Sequence, residues 1–194
     1  MRSTTLCLAL VWLSFAATAM SDDGLTLVRE GTSDYVITVP DKATPVEKTA
    51  ASELQQYLAE ATGATLPVVT EAEAPRDRPR VAVGDGAVTR KLLGGLSPDS
   101  FAPDAIVVRT VGRDLVLVGH PRRGTLYAVY TFLEDTVGIR WWTATETYVP
   151  KRPTLQIPPL DVVYHPKVID RATRYLELSD GCFTDHSLVT EDEQ

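Results

Sequence analysis

The segment from Thr44 to Gly63 constrains the fold more than any other, because it carries a helix start, a helix face and a helix stop. Thr44-Pro45-Val46-Glu47 is a capping box with proline at the first helical position. Val46, Ala50, Leu54, Tyr57, Leu58 and Ala61 then recur at three- and four-residue spacing, which gathers them on one side, and Gly63 supplies the left-handed cap. A helix with a single apolar stripe must bury that stripe against another layer. A second such helix is predicted after His120-Pro121-Arg122-Arg123-Gly124, where Leu126, Val129, Tyr130, Leu133 and Val137 form the stripe and Gly138 ends it.

The remaining layer has to be a sheet. Residues 25–29 and 35–39 read as strands separated by the turn formers of residues 30–34, and together they predict a hairpin. Further strands are expected at residues 66–70 and 80–83, with a weak short helix after Gly84-Asp85-Gly86. Residues 105–111 and 115–119 flank Gly112-Arg113-Asp114 and predict a second hairpin. Residues 139–142 exit the second helix as a strand. The expectation is an α+β fold of the α/β sandwich type, a small, mixed, partly antiparallel sheet with two main helices on one face.

From Pro150 onward the texture changes. Pro150, Pro153, Pro158, Pro159 and Pro166 punctuate two short strands, at residues 154–157 and 160–164, and residues 150–166 read as a semi-rigid, proline-rich connector. At the other end, Arg2 precedes an apolar run over residues 6–17 that closes on Ala17-Thr18-Ala19, the anatomy of a secretory signal peptide spanning residues 1–19. The mature protein is therefore expected to be secreted or periplasmic. No stable membrane association is expected, since no other run reaches the roughly 18 to 20 apolar residues of a spanning helix.

Cysteine and charge narrow the field further. Removal of Cys7 with the signal peptide leaves Cys182 as a free thiol, so no internal disulfide is expected and the hydrophobic core must hold the fold. The formal net charge is -7, and no lysine or arginine cluster is long enough to follow a phosphate backbone, which excludes a nucleic-acid partner. His120, His165 and His186 are scattered without metal-ligand spacing, so neither a metal nor another cofactor is expected. Gly84-Asp85-Gly86 lacks the lysine of a phosphate loop. Glu134 and Asp135 are adjacent on a helix and point about 100° apart, which makes them a poor catalytic pair.

Three segments, at residues 44–58, residues 123–134 and Gly138-Ile139-Arg140-Trp141-Trp142, resemble the N-terminal domain of family 67 α-glucuronidases and related bacterial proteins. In that family the domain is similar to the second domain of β-N-acetylhexosaminidases and precedes a (β/α)8 catalytic barrel. The resemblance covers about residues 25–165. It implies that residues 20–149 are a non-catalytic accessory domain of a secreted glycoside hydrolase acting on polysaccharide, with glucuronoxylan the favoured polymer and the barrel its partner. Residues 167–194 are far too short for a barrel of roughly 250 residues, and read as its truncated start or a tail. No catalytic residue is therefore expected here. A free-standing carbohydrate-binding module is the alternative.

Two candidate contact sites follow. Arg122 and Arg123 precede the second helix, where unpaired N–H groups and the helix dipole favour an anion such as a uronic acid carboxylate. Their other use is to cover the surface or to pair with an acidic patch on the barrel. Trp141 and Trp142 are consecutive strand residues, so one enters the core and the other points away. Both are candidates for interdomain contact, and Trp142, with Arg122 and Arg123, for substrate binding.

Overall fold

The computed structural model describes residues 24–95, 98, 101–102 and 104–166. The signal peptide expected at residues 1–19, and the 167–194 segment with Cys182 and His186, lie outside these residues.

Helix α1 (Pro45–Thr62) forms where its stripe and caps predict it. The Thr44 side chain accepts from the Glu47 backbone N–H, Glu47 reaches back to the Thr44 N–H, and Gly63 closes the helix at φ 82°. Ala50, Leu54, Leu58 and Ala61 are fully buried or nearly so. Each such leucine contributes about 1.5–3 kcal/mol relative to exposure. Helix α3 (Gly124–Phe132) packs beside α1 on the same side of the sheet and continues into one π-helical turn, Leu133–Val137, ended by Gly138 at φ 92°. The wider turn keeps Leu133 and Val137 buried and leaves Asp135 outside.

Six strands form the main sheet, β2 (Val36–Val39), β3 (Val68–Thr70), β4 (Arg80–Val83), β5 (Ile106–Val111), β6 (Asp114–Gly119) and β10 (Asp161–Tyr164), in the order β10-β5-β6-β4-β2-β3. The β3, β2, β4 and β6 strands run parallel, and β5 pairs antiparallel with both β6 and β10. The sheet is thus mixed. On its second face lie short helix α2 (Ala87–Leu92), Leu93 and Phe101, with Ala82, Leu93, Phe101, Ala105, Val107, Val116 and Val118 forming a smaller core.

The expected hairpin at residues 106–119 is present, but the one at 25–39 is not. Strand β1 (Leu25–Val28) leaves the turn at Glu30-Gly31 and pairs antiparallel with β9 (Leu155–Ile157). The physical reason lies in β2, where Val36, Ile37, Thr38 and Val39 are all buried. A strand buried on both faces belongs in the middle of a parallel sheet, not in a half-solvated hairpin.

Residues 150–166 do not behave as a connector either. Leu155 and Ile157 enter the main core at 1% exposure, β10 extends the sheet, and the Arg152 N–H donates 2.7 Å to the Ala61 carbonyl near the end of α1. The prolines flank these strands without interrupting them, a placement that edge strands tolerate.

Candidate functional site

Three places on this frame hold side chains that bear on function. The first is the entrance to α3. Arg123 donates to both carboxylate oxygens of Asp104, at 2.5 and 3.1 Å, with only 14% and 16% of the two side chains exposed. Its guanidinium also lies 5.7 Å from the Tyr127 ring centroid. Asp104 thus supplies, from within the chain, the anion for which this position was a candidate. Arg122 is exposed. Trp142 lies beyond the other end of α3 and its π turn, so nothing assembles it with Arg122 and Arg123 into one site.

The second place is the topological switch point. Helix α1 follows β2 onto one face of the sheet and α2 follows the adjacent parallel strand β4 onto the other. The crevice beyond such strand ends is where open α/β sheets bind ligands. Here two carboxylates of the chain itself reach the backbone at these strand ends. Glu47, 7% exposed, accepts from the Thr44 N–H at 2.8 Å and hydroxyl at 2.9 Å, and its other oxygen accepts from the Asp85 N–H at 2.8 Å. Glu71 accepts from the Ala87 and Val88 N–H groups, both at 2.9 Å, and so caps α2. Gly84 and Gly86 leave room for these carboxylates, since a Cβ at either would collide with Glu47 or Glu71. The carboxylates thus occupy the N–H groups that a phosphate would use.

A prediction follows from this packing. Glu71→Ala should lower the unfolding free energy by about 1 kcal/mol, the usual worth of a lost helix cap. Glu47→Ala, which strands more donors in a less exposed place, should lower it by about 2 kcal/mol. Urea unfolding of the full chain checks both, and their order is the informative result.

The third place is the two-stranded ribbon of β7 (Arg140–Trp141) and β8 (Thr147–Tyr148). Arg140 pairs with Tyr148 and Trp141 with Thr147, and the Trp142 N–H donates 2.9 Å to the Glu146 carbonyl. Side chains alternate across a strand, so Trp141 and Thr147 share the inner face and Arg140, Trp142, Glu146 and Tyr148 the outer one. Trp141 is wedged edge-on between Tyr57 and Tyr130, with centroids 5.4 and 5.2 Å away, and its Nε1 donates 2.9 Å to the Tyr57 hydroxyl. Burial pushes the Tyr57 phenol above its ordinary range, and the bond from Trp141 offsets part of that rise. Trp142 and Tyr148, by contrast, are 62% and 55% exposed.

Of the two tryptophans, then, Trp141 is spent on its own domain and Trp142 faces outward. Tyr148 escaped the sequence reading because residues 143–149 carry no periodic pattern. The signal was there, an aromatic at the one position that a short ribbon places opposite Arg140. Among the described residues no group of three His, Cys, Asp or Glu side chains is arranged to hold a metal ion, and no helix is long and apolar enough to cross a membrane.

No protein-family model and no curated protein matches this chain. Among solved structures it is similar to the GH20 beta-N-acetylhexosaminidase from Streptomyces coelicolor A3(2), at 14% identity and a TM-score of 0.48, over 75% of this chain and 24% of that one. The chain therefore spans about a quarter of that enzyme's length.

Proposed function

We propose that this chain is a non-catalytic accessory domain of a secreted or periplasmic glycoside hydrolase acting on polysaccharide, with an α-glucuronidase of glucuronoxylan as the parent its three signature segments resemble. One observation carries the non-catalytic part. Glycoside hydrolysis in most families needs two carboxyl groups about 5 to 9 Å apart across an open sugar site. At the crevice where this fold would offer one, Glu47 and Glu71 are instead bonded to backbone N–H groups of the chain itself. The partner in this reading is a catalytic barrel. It would abut β10, an edge strand whose Val162, Val163 and Tyr164 are exposed and from which the chain runs on past Pro166.

The test is turnover. The purified full chain, incubated with aryl-glycosides and with glucuronoxylan, should release neither aglycone nor sugar. Release that a single carboxylate substitution abolishes would overturn the proposal.

A further inference from the structure

We infer that the outer face of the β7–β8 ribbon binds the neutral backbone of a polysaccharide, with Trp142 and Tyr148 as stacking rings. This deepens the accessory-domain reading by naming what the domain touches.

Trp142 and Tyr148 are the most exposed of the large hydrophobic residues described, and both stand on one face of a single ribbon. Leaving an indole and a phenol in water is unfavourable unless something covers them. They occupy diagonal positions across the pair and make no ring contact with each other, so neither ring is stacked on the other. Pyranose rings present patches of C–H groups that such faces cover, with hydroxyl groups around the edge.

The surroundings favour a sugar over a protein surface. The rim is made of Thr143, Thr145 and Glu146, all exposed, which are hydrogen-bonding groups rather than the aliphatic side chains that fill a protein interface core. Charge favours a neutral stretch of polymer. Arg140, the cation on this face, already donates to the Glu134 and Ile139 carbonyls at 2.5 and 2.7 Å, while Glu146 and the net charge of -7 repel a polyanion. The inner face is held by Trp141 between Tyr57 and Tyr130, so the ribbon that carries the outer rings is anchored to the core before ligand arrives and binding loses less backbone entropy.

Affinity electrophoresis of the full chain tests this, in native gels cast with hydroxyethyl cellulose or unsubstituted soluble xylan, and with polygalacturonate as the acidic control. The chain should be retarded by at least one neutral polymer. Trp142→Ala and Tyr148→Ala should each weaken that binding about tenfold or more, Trp142→Phe should keep most of it, and Arg122→Ala should leave it unchanged. Unaltered thermal midpoints of the variants would show that folding is intact. The inference is overturned if neither neutral polymer retards the chain, if only polygalacturonate does, or if retardation survives the double alanine variant. It is equally overturned if size exclusion shows these rings buried in a dimer that Trp142→Ala dissociates. None of these outcomes depends on turnover, so the accessory-domain reading stands or falls separately.

Discussion

Gly119→Ala is expected to destabilise the chain by about 3 kcal/mol, at the top of the usual range for overpacking a closed site. Gly119 ends β6 where α3 begins, and a Cβ there would lie 2.5 Å from the Ala105 carbonyl oxygen and as close to the Gly124 backbone. Backbone cannot rotate away as a side chain can, so the helix or the strand would have to move. Gly124 faces the same contact from the helix side. Gly112→Ala makes the control. Its φ of 59° disfavours a side chain but nothing lies within 4 Å, so the loss should be only about 1 kcal/mol. Urea unfolding midpoints of the two variants measure the difference, and equal losses would mean that the close approach of β6 and α3 is not as described.

The tryptophan pair should part just as clearly. Trp141→Ala empties a space between Tyr57 and Tyr130 and removes the Nε1 bond to the Tyr57 hydroxyl, which together are worth about 3 kcal/mol. Trp142→Ala removes a ring that is mostly in solvent, and its effect should stay within about 0.5 kcal/mol. Thermal or urea unfolding of the two single variants distinguishes neighbours that differ only in which way the strand turns them. Similar losses would contradict the assignment of the ribbon's faces.

What could be read along the chain was whatever is encoded locally. The cap, stripe and stop of α1 lie within one segment, and so do the turn and both strands of the β5–β6 hairpin. The alternation of Trp141 and Trp142 needs only a strand. Pairings between distant segments were not legible. Strand β2 joins β3 and β4 rather than β1 because its four residues are all buried, which a short apolar run does not announce. The prolines of residues 150–166 look like a linker until β1 and β5 offer them edges. The same limit hid the site chemistry, since Glu47 meets Asp85, Glu71 meets α2 and Arg123 meets Asp104 only after the chain has folded.

Glu47 and Glu71 face inward and Trp142 and Tyr148 outward, and one titration reads both. Nuclear magnetic resonance of the full chain with neutral xylo- or cello-oligosaccharide should show the Trp142 indole N–H shifting saturably, the Trp141 signal still, and the oligosaccharide intact after prolonged incubation. Cleavage products, or shifts centred on Thr44, Asp85 and Ala87 around Glu47 and Glu71, would contradict it.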